Sequence, residues 1–200
     1  KLRKFSDAQK DISVARLAAP SNPVPTHLLG VEAFYRGQYQ EAKTHFQTVL
    51  KVMPGYLASL YWQGVTDIYL GNTEQAVKSL SQYTARQPGD ALAKTILASA
   101  LARQGNKISA EENLKVLRSM GVEDPSLLGM TGQTYLAIGK SAEAQRYLRM
   151  ALENDPKDLG LKLLLAESYR LQRNNDAYLK ELGEAVALSP QSIPLRGQLA

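Results

Sequence analysis

The side chains that could do chemistry are few and badly placed for it. His27 and His45 are the two histidines of the 200-residue chain, with no H-E-x-x-H spacing and no carboxylate cluster around either, so no metal site is expected. Cysteine is absent, which removes thiol nucleophiles, disulfides and thiolate ligands and is compatible with a reducing or an oxidising compartment. Gly139-Lys140-Ser141 matches the end of a phosphate-binding loop, but the loop needs a glycine where Thr134 stands and a strand where a helix is expected. Asp67 and Glu167 are too far apart along an extended array to act as an acid–base pair. No catalytic residue and no cofactor is expected, and the chain is read as a non-enzyme.

The elements that carry these residues follow one interval. Pro20, Pro54, Pro88, Pro156 and Pro190 fall on a step of 34 residues, with Val122 in the one remaining register. Ala8, Ala42, Ala76, Ala110 and Ala144 share the step, as do Phe46, Leu80, Leu114, Leu148 and Leu182, with Ile12 upstream. Tyr178, beside Ala177, breaks the alanine series. Gly37, Gly71, Gly105 and Gly139 each close one amphipathic run before the next, the place for a left-handed helix cap. In the fifth unit an asparagine of Arg173-Asn174-Asn175-Asp176 is expected to take that conformation. Gly30, Gly64 and Gly132 form a further series, with Ala98 in its third register.

Two helices per 34 residues, a small residue in the first, alanine and a bulky apolar residue in the second, and a closing proline resemble the tetratricopeptide repeat. The resemblance covers essentially the whole chain. It implies an all-α fold, a right-handed superhelical solenoid of antiparallel helix pairs, with first helices on the inner surface. The chain 1–200 is accordingly read as a single solenoid fragment. Residues 1–22 are the second helix of a truncated repeat, 23–56, 57–90, 91–124, 125–158 and 159–192 are five complete repeats, and 193–200 start a further one. Both ends look cut from a longer array. The third repeat departs most from the pattern, ending in Gly121-Val122-Glu123-Asp124-Pro125.

Function is expected on the inner face. His27, Val31, Phe34 and Tyr35 of the first repeat and Tyr61, Trp62, Val65 and Tyr69 of the second fall at helical spacing, with Arg103 further on. Aromatic side chains with a polar tip suit recognition of a peptide laid in a groove. These nine residues are the expected contacts for a protein or peptide partner. The competing reading is that the stripe is filled by packing between helices, leaving an architectural spacer or a module that self-associates through the groove or through exposed terminal repeats. Chaperone-binding members of the family hold a terminal carboxylate with Lys, Asn and Arg. The matching faces here carry His27, Val31, Trp62, Leu92 and Ile96, so that clamp is absent.

The net charge of +5 is spread among Glu and Asp along helix faces, and no continuous Lys/Arg stripe suggests nucleic acid. No apolar run is long enough to span a membrane. The texture of G-V-E-A-F-Y-R-G-Q-Y-Q-E-A and L-A-S-A-L-A-R-Q-G-N is similar to bacterial repeat arrays of exopolysaccharide export and of the PEP-CTERM/exosortase sorting system, some of them periplasmic lipoproteins. That resemblance implies a cell-envelope scaffold, periplasmic or membrane-anchored, whose lipid anchor would lie upstream of Lys1.

Overall fold

The computed structural model describes residues 22–192 and, upstream, Ile12, Val14, Ala15 and Leu17, all helical. The helix expected near the start is described at those four positions alone, and the one expected over 193–200 lies outside the described residues, as does Ala8. Between them the chain is all-α. First helices α1 (Pro23–Tyr35), α3 (Leu57–Tyr69), α5 (Ala91–Arg103), α7 (Pro125–Ala137) and α9 (Leu159–Leu171) begin one repeat interval apart. Each is followed by a second helix: α2 (Tyr39–Val52), α4 (Thr73–Arg86), α6 (Lys107–Lys115), α8 (Ser141–Asn154) and α10 (Asn175–Leu188). A 3₁₀ turn, Val116–Arg118, extends α6.

By its internal contacts the chain divides into two compact units, 1–100 and 101–200. In the first, α1 packs on α2, α3 on α4, and α2 on α3. In the second, α7 packs on α8, α9 on α10, and α8 on α9.

The bulky series explains the pairing. Phe46, Leu80, Leu114, Leu148 and Leu182 are all buried. A Cβ added at Gly30 would stand 2.6 Å from Phe46, one at Gly64 2.5 Å from Leu80, and one at Gly132 2.7 Å from Leu148. The second-helix side chain therefore occupies the place a first-helix side chain would take. Ala42, Ala76, Ala110 and Ala144 have no exposed surface, so a larger side chain at any of them would have to displace packed neighbours.

The inter-helix turns repeat as closely. Gly37, Gly71, Gly105 and Gly139 have φ of 77°, 76°, 80° and 83°. The next residue's N–H reaches back to the last turn of the first helix: Gln38 to Ala33 O at 2.9 Å, Asn72 to Asp67 O at 2.8 Å, Asn106 to Leu101 O at 3.0 Å and Lys140 to Tyr135 O at 2.9 Å. This is the six-to-one bond of the Schellman cap. The fifth turn corrects the expectation for asparagine, because Arg173 holds the left-handed position at φ 58°. The reason is register. Asn174 makes the six-to-one bond to Tyr169 O at 3.0 Å, and its side chain accepts from Ala177 N at 3.2 Å, so the left-handed residue must be the one before it.

Two consequences are measurable by urea unfolding. Gly64→Ala should lower stability by roughly 1–2 kcal/mol, overpacking against Leu80 outweighing the better helix propensity; Gly183→Ala, whose Cβ would meet nothing within 4 Å, should raise it by up to about 1 kcal/mol. Arg173→Gly should raise it by about 1 kcal/mol by removing the left-handed penalty, and an unchanged midpoint would mean that the turn carries no strain.

Candidate functional site

The aromatic residues of the first unit converge because helix ends meet there. The last turn of α1 supplies Phe34 and Tyr35, α2 opens on Tyr39, and α3 carries Tyr61, Trp62, Val65 and Tyr69. Trp62, Val65 and Tyr69 follow one another at i, i+3 and i+7, on one face. Phe34 is the hub, with ring centroids 5.1 Å from Trp62, 5.2 Å from Tyr69, 5.3 Å from Tyr39 and 5.9 Å from Tyr35. All four contacts are edge-on, the arrangement the ring quadrupole favours. Tyr39 stacks on Tyr69 at 4.8 Å, and Tyr35 lies 5.7 Å from Trp62.

The cluster is graded from core to solvent. Val31, Phe34 and Trp62 pack against the buried Ala33, Ala42 and Phe46, while Tyr35 is 65% and Tyr69 60% exposed. Tyr61 and Val65 are half-buried. The inner rings thus hold two exposed tyrosines in fixed positions. Arg103 is exposed at the end of α5, in the second unit.

His27 sits elsewhere. It is 8% exposed, between the rings of Phe46 at 5.6 Å and Tyr56 at 5.5 Å, with Nδ1 3.0 Å from the Ser59 hydroxyl. Burial pushes its pKa down, so it is a neutral packing residue inside the unit and not part of an open face. His45 lies 3.8 Å from Glu41 on its own helix.

Tyr61 leads to a polar extension. Its ring is 5.3 Å from Tyr83, whose hydroxyl donates to Asp90 Oδ2 at 2.8 Å; Asp90 Oδ1 accepts from Ala93 N at 2.9 Å, capping α5. Burial, the bond to Asp90 and the charge of Asp90 push the Tyr83 hydroxyl up to about 12. Burial, then Asp90 and Tyr35, also raise Tyr61. Both remain protonated donors at neutral pH.

Two features were not anticipated. Tyr39 belongs to a second helix, a class assigned to the outer surface; its signal is position, an aromatic ring opening the helix after the Gly37 turn. The second is a buried ion pair between helices, Lys43 Nζ to Asp67 Oδ1 at 2.7 Å, with Asn72 Nδ2 donating to the same oxygen at 3.1 Å. Asp67 is fully buried and its Oδ2 has no partner. The signal was a charge in a register that otherwise holds Ala33, Leu101, Tyr135 and Tyr169.

The remaining chemical suspects have structural roles. Gly139-Lys140-Ser141 is the turn between α7 and α8, preceded by a helix, and Lys140 pairs with Glu111 at 3.2 Å. Glu167 is engaged by Arg170 at 2.6 and 2.7 Å, which holds its carboxyl below the usual range. Among the described residues no group of three or more His, Cys, Asp or Glu could hold a metal ion, and no helix is long and apolar enough to cross a membrane.

Comparison with known proteins follows the same architecture. The family model described as the cilia and flagella-associated protein 70 C-terminal domain, a tetratricopeptide-repeat family, matches residues 8–199. The TPR repeat-containing protein PA4667 of Pseudomonas aeruginosa is 29% identical over 158 residues, covering 78% of this chain. The chain spans only 27% of that relative's length. Among solved structures, PilW, titled a widely conserved type IV pilus biogenesis factor, superposes with a TM-score of 0.82 at 18% identity over 99% of this chain and 92% of its own. YrrB, titled a TPR protein with an unusual peptide-binding site, gives 0.77 at 13% identity over 94% and 96%. At these identities the likeness establishes the fold.

Because the folded state binds the His27 proton less well than the unfolded chain does, His27 contributes stability that is present above about pH 6.5 and is lost as pH falls below it. The unfolding midpoint should therefore drop on going from pH 7 to pH 5, and the drop should shrink in His27→Gln; an equal drop in both would assign the acid sensitivity to other groups.

Proposed function

This chain belongs to the family of the cilia and flagella-associated protein 70 C-terminal domain, an array of tetratricopeptide repeats, and on that premise we propose that it is a non-enzymatic protein–protein interaction scaffold whose first-unit aromatic face holds a segment of a partner protein. The observation that carries this reading is the pair of exposed rings, Tyr35 and Tyr69, held in place by Phe34, Tyr39 and Trp62. Rings immobilised before binding lose little side-chain entropy when a partner docks, and tyrosine offers apolar area with a hydroxyl at its tip. Val31 and Val65 extend the apolar floor. Tyr61 brings a protonated hydroxyl to one side, whereas buried His27 supports the floor from behind. Arg103 belongs to this reading as a contact supplied by the following repeat.

A second reading has its own observation. Phe34 and Trp62 pack against the core of the first unit, which favours an architectural role for those two rings, with self-association as the use of the exposed tyrosines. A place in a bacterial cell-envelope system of exopolysaccharide export or protein sorting, with a lipid anchor upstream, extends the scaffold proposal; it is supported by sequence texture and by the bacterial source of the relative.

Tyr35→Ala/Tyr69→Ala separates the readings. The double variant should keep its unfolding midpoint within about 0.5 kcal/mol, as exposed sites do, and should lose at least ten-fold of the partner that the parent chain captures by cross-linking. Trp62→Ala should cost about 2–3 kcal/mol, less than a fully buried tryptophan. Equal capture by the double variant and the parent would refute binding through this face. A parent that dimerises in sedimentation while the variant stays monomeric would establish self-association instead.

A further inference from the structure

The first unit has a second concave feature, lined from the other elements. A hollow of about 390 Å³ opens between α2 and α4 over the middle of α3. Its polar lining is Gln47 and Lys51 from α2, Gln63 from α3, and Gln75, Lys78 and Gln82 from α4, with no carboxylate among the lining residues. Both lysines are exposed, and among the described residues neither is engaged in an ion pair. Glu74, one turn before Lys78, does not line the hollow. Lys43, the other lysine of α2 on this side of the chain order, is committed to Asp67, so the two lining lysines are the charges left to an incoming group.

At the base of the hollow lies an unsatisfied atom. Gln63 Oε1 is buried with no hydrogen-bond partner, a state a native side chain rarely keeps without a reason. With no bond holding the oxygen, the terminal amide can turn about its last torsion and present it to the hollow. A ligand that fits must then accept from two ammonium groups and donate to an amide oxygen. An acidic peptide segment has both functions, a side-chain carboxylate for Lys51 and Lys78 and a backbone N–H for Gln63, and the glutamines around the rim can pair with the rest of its backbone. The volume is that of a small-ligand or short-peptide site.

We propose that the hollow between α2 and α4 is a second binding site of this chain, one for an acidic peptide segment, whose carboxylate is held by Lys51 and Lys78 and whose backbone N–H is taken by Gln63. It is independent of the aromatic face.

Fluorescence anisotropy on the full chain tests it, with a fluorescein-labelled peptide Gly-Glu-Leu-Glu-Gly and its Gly-Gln-Leu-Gln-Gly counterpart. The acidic peptide should bind saturably and weaken as salt rises from about 50 to 200 mM, and the glutamine peptide should bind at least about ten-fold less well. Lys51→Gln/Lys78→Gln should lose at least ten-fold, whereas Lys157→Gln/Lys180→Gln, which removes the same net charge from the second unit, should bind as the parent does. Gln63→Met should weaken binding several-fold without lowering the unfolding midpoint. Tyr35→Ala/Tyr69→Ala should leave this binding unchanged, so that failure here and failure at the aromatic face are distinct results. Absence of saturable binding, or equal loss in the two lysine double variants, would overturn the proposal.

Discussion

A bulky side chain of each second helix needs a place in the first helix where no side chain stands. Phe46 over Gly30, Leu80 over Gly64 and Leu148 over Gly132 are the same contact made three times, at distances that exclude a methyl group. Burying one such side chain is worth about 1.5–3 kcal/mol, while each glycine in mid-helix costs up to about 1 kcal/mol. The exchange favours the pair only if the two helices come close enough for the side chain to fill the gap. That requirement sets the helix–helix spacing, and the left-handed turn with its six-to-one bond sets the direction of return. Every surface feature depends on this frame.

The aromatic face follows from it. Closing α1 onto α2 brings Phe34 of one to Tyr39 of the other, and packing α2 on α3 delivers Trp62 and Tyr69 to the same ring. The Lys43–Asp67 pair lies across the same α2–α3 junction. A buried ion pair adds little net stability, because desolvation offsets the attraction, yet removing one partner strands the other charge. Its effect here is therefore on register. A slip between α2 and α3 would separate Lys43 from a carboxylate with no access to water, and the rings that meet over the same junction would separate with it.

Periodic features were legible in the sequence and singular ones were not. The proline, alanine, glycine and bulky series repeat, so each occurrence supports the others, and the helix pairs and their turns could be placed from the residues alone. Tyr39, Lys43 with Asp67, and the depth of His27 each occur once. Whether a residue on a first helix faces solvent depends on the neighbouring repeat: Tyr56 and Ser59, from the next unit, are what cover His27. The step of 34 aligns His27 with Tyr61, yet one is buried and the other half-buried, because their neighbours differ in size. The left-handed residue of the fifth turn was misplaced for a related reason. Asparagine is the better left-handed residue by preference, but the bond to Tyr169 O fixes which position must adopt the conformation, and arginine stands there.

The third repeat shows which part of the frame is obligatory. Its register lacks the closing proline, with Val122 instead, and its second helix is α-helical for 9 residues where the others run for 14. Termination is achieved by other means. The chain tightens into the 3₁₀ turn that buries Leu117, the Ser119 hydroxyl donates to Val116 O at 2.8 Å, and Gly121 turns at φ 61°. Asp124 then accepts from Leu127 N at 2.8 Å with Pro125 in the first helical position, a strong start signal. As a result α7 begins at the residue the interval requires, although α6 ended early. What is held constant is where each first helix begins, because that position decides whether the glycine of its third turn meets the bulky side chain that must cover it; how the preceding helix stops is free to vary.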